Sequence, residues 1–274
     1  IKSQDSAGNI SALSNNLLVT IPEPLIVEPI VSLVKFSTFY VDVDSLGGQC
    51  SDENPGTQEA PWCSAIKGFS SAKPGDTVYF RGGIYRQERM ITEGYFSHEA
   101  TADSRIAFKG YPGEEAIITP MKLRNNPGYW SQVPGYPDIY STDLTPQRLG
   151  PDNMRVGRIP NVAQDGIPLT LMTGSEVNGG PENLTGEGQW ARTTEGWKLY
   201  VRARGGGNPG NYETEISEFI YGGTNTISLT GRRNRAQDND EADYITFENL
   251  VIEGGYYPIE IETDYVELKN SVFR

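Results

Sequence analysis

Histidine is nearly absent from this chain: only His98 occurs among its 274 residues. A zinc site with several imidazole ligands is thereby excluded, and a Ser–His–Asp triad is disfavoured. The sequence also has no Walker loop and no dinucleotide fingerprint, since the glycine run at 205–207 is not followed by a helical pattern. Multi-histidine zinc enzymes, P-loop nucleotide hydrolases and dinucleotide-dependent oxidoreductases therefore leave the list of candidate functions.

Long apolar runs are missing too. The most apolar stretch, around 21–36, is interrupted by Pro22, Pro24 and Pro29, and no segment approaches the length of a membrane span. The formal net charge of -13 argues for a soluble protein and against nucleic acid as the main partner.

Cysteine is equally scarce. Cys50 and Cys63 flank one loop rich in glycine, asparagine and proline. A disulfide closing this loop would stabilise the fold by about 3 kcal/mol in the chain-entropy model. Two free thiols in a reducing compartment are the alternative. We favour the disulfide, which predicts a secreted or cell-surface protein.

Glycine, proline and tyrosine are abundant, with 31, 18 and 15 residues, as is typical of an all-β protein with many turns. Five segments share one pattern, in which an apolar–any–apolar strand is followed by Gly or Asn four residues after its first apolar residue. They are Val78–Gly82, Ile106–Gly110, Ile227–Gly231, Ile245–Asn249 and Val266–Asn270. The last two align without a gap at an offset of 21 residues.

This repeat predicts a β-solenoid, in which short parallel strands stack, apolar residues point inward and Gly or Asn occupies a left-handed bend. The residues between the apolar positions then form two outward columns. One predicted column contains Tyr79, Ala107, Ser228, Thr246 and Glu267. The other contains Arg81, Lys109, Thr230, Glu248 and Lys269, with Glu248 and Lys269 as an exposed ion pair.

Three segments carry a family resemblance. They are Tyr40–Cys63, Lys73–Tyr85 and Arg105–Glu114. These segments resemble the N-terminal cap and first coils of secreted right-handed parallel β-helix proteins, the pectate-lyase-like superfamily. The resemblance implies an all-β, right-handed parallel β-helix over 38–119 and 216–274, with a β-rich inserted lobe at 120–215. That superfamily contains lyases, hydrolases and non-catalytic adhesins, so it implies a fold rather than one chemistry.

Both ends of the solenoid need covering. Trp62, Ile66 and Phe69 recur at helical spacing, which predicts a short N-terminal cap helix. The sequence stops at Arg274, one strand into a coil, so we expect further coils beyond it. An uncapped end would instead favour end-to-end self-association.

The first 20 residues resemble the last turn and strand of a bacterial fibronectin type III module, through the Asp5–Ser11 turn and an alternating strand. The proline content of residues 21–37 then predicts a semi-rigid linker.

The outward columns suggest a surface for an acidic glycan. Elimination from a polyuronate needs a cation to neutralise the sugar carboxylate and a base to remove the adjacent proton. The candidate substrate-binding residues are Tyr79, Arg81, Lys109, Trp190, Trp197, Arg232 and Arg233. The candidate catalytic residues are Lys269 and Arg274. A solvated strand face is the simpler alternative.

Two acidic groups complete the candidates. The loop residues Asp238, Asn239, Asp240, Glu241 and Asp243 offer the hard oxygen ligands that Ca²⁺ prefers, although a solvated acidic loop has the same composition. Glu260 and Glu262 alternate with Ile259 and Ile261 and, with Glu253, resemble the paired carboxylates of a glycosidase. Alternating glutamates on a solvent-facing strand are the simpler alternative.

The favoured function is a secreted polysaccharide lyase that acts on an acidic glycan, with Ca²⁺ as cofactor. A non-catalytic adhesin, glycan-binding stalk or self-assembling subunit is the first alternative, and a glycoside hydrolase is the second.

Overall fold

The computed structural model places the chain in two compact units, Ile1–Lys35 and Phe36–Arg274. It describes residues 4–9, 36–44, 49–87, 90–97, 99–144, 147–148, 154–155, 161–172, 179–193, 198–217, 225–229, 242–255 and 257–274. In the first unit, residues 4–9 form a turn in which the Asp5 carboxylate accepts the amides of Ala7 and Asn9. The fibronectin-like assignment of this end stays a prediction, and nearly all of the predicted linker lies outside the described residues.

The second unit begins with a β-rich part that holds one α-helix. Its elements are β1 (Thr38–Val41), α1 (Ala65–Ser71), β2 (Thr77–Phe80), β3 (Gly83–Arg86), β4 (Ile91–Thr92), β5 (Ile106–Gly110) and β6 (Ala116–Thr119). The corresponding part at the other end of the unit contains β18 (Ile227–Leu229), β19 (Ile245–Glu248), β20 (Leu250–Ile252), β21 (Ile259–Ile261), β22 (Glu267–Lys269) and β23 (Val272–Phe273).

The middle of the unit consists of short strands and single 3-10 turns. The strands are β7 (Met121–Leu123), β8 (Ser131–Val133), β9 (Tyr136–Asp143), β10 (Gln147–Arg148), β11 (Met154–Arg155), β12 (Val162–Gln164), β13 (Ile167–Pro168), β14 (Thr170–Leu171), β15 (Gln189–Thr193), β16 (Lys198–Arg202) and β17 (Thr214–Ser217). The 3-10 turns of this part are Pro127–Tyr129, Pro181–Asn183 and Pro209–Asn211, and another lies at Glu93–Tyr95.

Three sheets contain only parallel pairs. Sheet I has the order β1-β2-β5-β19-β22, sheet II has β3-β6-β20-β23, and sheet III has β4-β18-β21. From β2 to β6 and again from β18 to β23, successive strands enter the sheets in the cyclic order I, II and III. One hydrophobic core lies against all three sheets. The structure is thus all-β, and the parallel β-helix stays a prediction.

The offset of 21 residues is confirmed. Phe247 pairs with Leu268 and Val251 with Val272, so β19 and β20 lie in register with β22 and β23. Asn249 and Asn270 have φ values of 56° and 46°, which is the left-handed backbone expected at the bends. The expected inward residues Phe80, Phe108 and Phe247, which lie on three neighbouring strands of sheet I, are fully buried.

The predicted outward columns are confirmed for β5, β19 and β22, where Ala107, Thr246 and Glu267 form one row and Lys109, Glu248 and Lys269 form the next, but they are wrong for β2. Val78 pairs with Phe108 and Tyr79 with Lys109, so β2 is shifted by two residues from the predicted alignment. Because side chains alternate with period two, a shift of two keeps the same residues inward, and the alternation alone does not distinguish the two registers. Ser228 belongs to sheet III, where it pairs with Glu260.

Helix α1 confirms the predicted short helix but begins later than Trp62. Ser64 caps it, because its hydroxyl accepts the Lys67 amide at 3.1 Å. Phe69 projects from the helix into the core and contacts the ring of Phe108 at 4.7 Å between centroids. The helix thereby covers apolar residues of sheet I.

The middle of the unit is predominantly antiparallel. Sheet IV has the order β7-β17-β12-β13, and sheet V has β8-β9-β16-β15-β14, in which only the β14–β15 pair is parallel. Buried residues of this part form two clusters of their own, one of them around Trp130 and Trp190. The segment predicted as an inserted lobe thus differs from the flanking sheets in strand direction and in core.

The predicted disulfide is present between Cys50 and Cys63, which are 13 residues apart in sequence.

We expect the double variant Cys50→Ser/Cys63→Ser to lose about 3 kcal/mol of unfolding free energy, because the unfolded chain regains the entropy of an open loop. Urea denaturation measures the loss, and reduced wild-type protein should match the variant. An unchanged midpoint in both samples would contradict the prediction.

Low pH should destabilise the N-terminal end of α1, because protonation of the Asp52 carboxylate weakens the hydrogen bonds that it accepts there. Its carboxylate accepts the amides of Cys63 and Ser64 at 2.9 Å and the Ser64 hydroxyl at 2.6 Å. Burial raises the pKa of Asp52, but the hydrogen bonds from Ser64 and Cys63 and the charge of Lys67 outweigh it, so the pKa is lowered below 3.8. A lowered native pKa gives stability that is present above the unfolded value and is lost as pH falls through the native value.

We therefore expect Asp52→Asn to destabilise the protein at neutral pH and to cost progressively less below about pH 4. Melting curves of the wild type and the variant from neutral pH to pH 2 measure this difference. A difference that stays constant over that range would contradict the assignment to Asp52.

Candidate functional site

A groove with a volume of about 350 Å³ lies between the outer side of sheet II and sheet IV. Ile84 and Ile117, neighbours in the register of sheet II, line it on one side. Met121 and Val162 of sheet IV line it on the other. The groove therefore offers two apolar walls, as ligand sites usually do, with polar groups set between them.

Three glutamates converge on this groove. Glu213 immediately precedes β17, Glu215 is the second residue of that strand, and Glu253 follows β20. Arg86 binds Glu215 at 2.6 Å, and the two side chains are only 25% and 13% exposed. Arg274 binds Glu253 at 2.9 Å. The groove thus brings together two ion-paired carboxylates that are 38 positions apart in the numbering and belong to different sheets.

The Arg86–Glu215 pair also connects the sheets. Arg86 belongs to β3 of sheet II and Glu215 to β17 of sheet IV, and the Arg86 guanidinium further donates to the Met121 carbonyl at 2.7 Å. Part-buried, charge-assisted contacts of this kind fix the position of the carboxylate more firmly than an exposed pair does.

The other predicted carboxylates lie on sheet III. The Glu260 carboxylate accepts hydrogen bonds from the side-chain amide of Asn225 at 2.7 Å and from the Ser228 hydroxyl at 3.1 Å. Both of those donor residues are buried. Glu262 lies two residues further along and is exposed. Of the predicted trio, Glu253 lines the groove, whereas Glu260 is held in a polar cluster on another sheet.

The predicted basic surface on sheet I is already neutralised. Lys109 binds Glu248 at 2.8 Å, Lys269 binds Glu267 at 2.6 Å, and Arg81 binds Glu114. The predicted Glu248–Lys269 pair is replaced by these contacts.

Lys269 does not have the environment that a catalytic base needs. Its side chain is 52% exposed and bound to a carboxylate, so it lacks the desolvation on which that role depended. Arg274 is 59% exposed and paired with Glu253, so the structure supports it as a partner of that carboxylate rather than as a base.

Trp190 is buried, which corrects its assignment as a substrate-binding residue. It is 1% exposed in the core of the middle segment, and its indole N–H donates to the Leu169 carbonyl at 3.3 Å. Tyr79 remains partly exposed, as substrate contact requires. The other candidates of this group, Trp197, Arg232 and Arg233, lie outside the described residues.

The calcium prediction is mostly outside the described part of the chain. Asp238, Asp240 and Glu241 fall there, and the Asp243 carboxylate accepts the Asp264 amide at 2.9 Å. Among the described residues, no group of three His, Cys, Asp or Glu side chains is arranged to hold a metal ion.

Sequence reasoning missed Glu213 and Glu215. They alternate with Thr214 and Ile216, the same pattern that selected Glu260 and Glu262. The pattern was therefore visible, but their placement beside Glu253 depends on pairing of β17 with β7, which are distant in sequence.

Two solved structures share the fold at low sequence identity. The chain is similar to XylC in its complex with xylose, with a TM-score of 0.54 and 17% identity over 80% of this chain and 35% of that one. It is similar to a glycoside hydrolase with a TM-score of 0.52 and 12% identity over 81% of this chain and 51% of that one. The chain thus spans about a third and a half of their lengths, and the likeness concerns the fold.

No protein-family model and no curated protein sequence matches the chain. Within the described residues, no helix has the length and apolar character to cross a membrane.

Proposed function

We propose that this chain is part of a secreted carbohydrate-active protein whose sheets I to III are the faces of a right-handed parallel β-helix. We further propose that the groove between sheets II and IV binds a glycan and hydrolyses a glycosidic bond. The groove carries the proposal, because it sets Glu215 and Glu253 beside an apolar wall. The cyclic strand order and the fold likeness to carbohydrate-active proteins support it.

Glycoside hydrolysis uses two carboxyl groups on opposite sides of the scissile bond. Glu215, held by Arg86 in a part-buried pair, suits the role of the ionised base or nucleophile. Glu253 is our candidate for the acid that protonates the leaving oxygen, a role that requires Arg274, which is 59% exposed, to leave the carboxyl group when the glycan enters the groove. Ile84 and Ile117 would contact the apolar face of a sugar ring in the groove.

Elimination from an acidic glycan is the less favoured reaction. It needs a cation free to bind the uronate carboxylate, but Arg81, Lys109 and Lys269 are each bound to a glutamate. Calcium held by the Asp238–Asp243 loop would meet this need, and that site remains a prediction.

The deciding experiment is a depolymerisation screen of the full chain on neutral and acidic polysaccharides, with and without Ca²⁺. New reducing ends without unsaturated-uronate absorbance are the expected result. Absorbance that rises with new ends would replace the hydrolase with a lyase. If neither new reducing ends nor absorbance appeared with any substrate, the result would contradict catalysis and favour the adhesive or structural alternative.

A further inference from the structure

A cluster of three tyrosines lies on sheet I, away from the groove on sheet II. Tyr40 and Tyr79 pair in register, and their rings stack with centroids 5.8 Å apart. Tyr111 follows β5, and its ring lies 6.4 Å from Tyr40 and 5.9 Å from Tyr79. All three side chains are partly exposed, so the cluster presents an aromatic surface to solvent.

Arg81 makes this surface rigid. Its guanidinium lies 4.4 Å from the Tyr111 ring centroid and binds Glu114 in a bidentate pair at 2.9 and 2.6 Å. The Glu114 carboxylate also accepts the Gly82 amide at 2.7 Å. The hydrogen bond to Arg81 lowers the pKa of Glu114, and the reciprocal bond raises the pKa of Arg81. Both groups therefore stay charged over a wide pH range, and the geometry persists.

The cations beside the cluster are already bound to carboxylates. Arg81 binds Glu114 and lies 3.8 Å from the buried Asp42 carboxylate, and Lys109, the next residue of the Tyr40–Tyr79 column, binds Glu248. A uronate carboxylate would have to displace a bound glutamate to reach either cation. A neutral ligand meets no such competition.

The tyrosine hydroxyls are available to such a ligand. Within the described part of the chain, no hydrogen bond involves the hydroxyl of Tyr40, Tyr79 or Tyr111, whereas the buried Tyr85 hydroxyl donates to backbone carbonyls. An aromatic face beside free hydroxyls matches a pyranose, which has an apolar C–H face and a rim of hydroxyl groups.

We propose that the surface formed by Tyr40, Tyr79, Tyr111 and Arg81 is a second, non-catalytic binding site for a neutral glycan. The inference rests on the proposed carbohydrate function for its ligand class only, because its residues belong to a different sheet from the groove. Its role is to retain the polysaccharide while the groove acts on it.

Calorimetric titration of the full chain with xylohexaose, cellohexaose and an oligogalacturonate of equal length tests the site. Tyr79→Ala should weaken binding of a neutral hexasaccharide by about tenfold, and Tyr79→Phe by much less, since stacking supplies most of the contact. Tyr129→Ala is the matched control. Tyr129 is 49% exposed and lies 5.4 Å from the Arg124 guanidinium, but no contact with another tyrosine ring is described for it.

Equal affinities for the wild type and Tyr79→Ala, both shown to be folded by their melting curves, would overturn the inference and leave the groove proposal standing. Preference for the oligogalacturonate would overturn the assignment to neutral sugars. No binding of any glycan by the full chain would overturn both proposals. A concentration-dependent rise in mass that Tyr79→Ala abolishes would assign the surface to a second copy of the chain instead.

Discussion

Replacing Phe69 by alanine should lower the free energy of unfolding by about 4 kcal/mol, the largest stability effect that we expect from one substitution. Phe69 is fully buried, and its ring contacts the rings of Phe80, Phe96, Phe108 and Phe247 at centroid distances of 4.7 to 6.3 Å. The substitution removes the transfer free energy of the ring and leaves a cavity among aromatic side chains that cannot close around a methyl group. Urea denaturation measures the change.

Phe36→Ala is the matched control for this experiment. Phe36 is 52% exposed, so the same substitution should change stability by only about 0.5 kcal/mol. A similar small effect for Phe69→Ala would contradict the packing of α1 against sheet I.

The position of Phe69 makes the result informative about the whole fold. Phe80 and Phe108 precede the middle segment, whereas Phe247 follows it. A large loss that occurs in one cooperative transition would indicate that the strands of sheets I to III on both sides of the middle segment unfold as one core. Two separate transitions would indicate independent units.

The sequence predicts the repeating part of this fold well, because that part follows local rules. Inward apolar residues alternate along each strand, and Asn249 and Asn270 tolerate the left-handed backbone that the bends require. The offset of 21 residues is visible directly in the sequence, and it is the offset at which β19 pairs with β22. For β19 and β22, the repeat visible in the sequence and the strand pairing in the structure therefore agree.

The register between strands of less similar sequence is harder to predict. Phe80 pairs with Gly110, and this pairing leaves Val78 opposite Phe108 instead of Ile106. A β-carbon on Gly110 would lie 2.0 Å from the Asn249 carbonyl oxygen, so the glycine permits close approach of two bends. That contact joins residues distant in sequence, and alternation carries no information about it.

The candidate site was harder to predict for a related reason. The sequence shows charged residues such as Lys109 and Lys269 but not their ion-pair partners, because the strand register decides which carboxylates lie beside them. Glu215 reaches the groove because β17 pairs with both β7 and β12. Sheet pairing inside the middle segment follows no repeat, so the sequence alone does not place Glu215 beside Glu253.

Glu215→Gln and Glu253→Gln should each lower kcat on a hydrolysed glycan by about a thousandfold. Glutamine has nearly the same shape as glutamate, but it supplies neither the negative charge of a base or nucleophile nor a proton for the leaving group. Initial rates of reducing-end release measure the effect, and melting curves establish the folded fraction of each variant.

The main competing explanation is that these glutamates only hold the sheets together. Loss of the Arg86–Glu215 pair would then lower the melting temperature and leave turnover per folded molecule unchanged. Glu267→Gln is a matched control, since Glu267 binds Lys269 at 2.6 Å outside the groove. If both groove variants keep wild-type turnover per folded molecule, the ion pairs are structural and hydrolysis in this groove is excluded. If only Glu215→Gln and Glu253→Gln lose turnover, without a matching loss of stability, the two carboxylates act on the substrate, because an ion pair that merely joins sheets has no means of changing kcat alone.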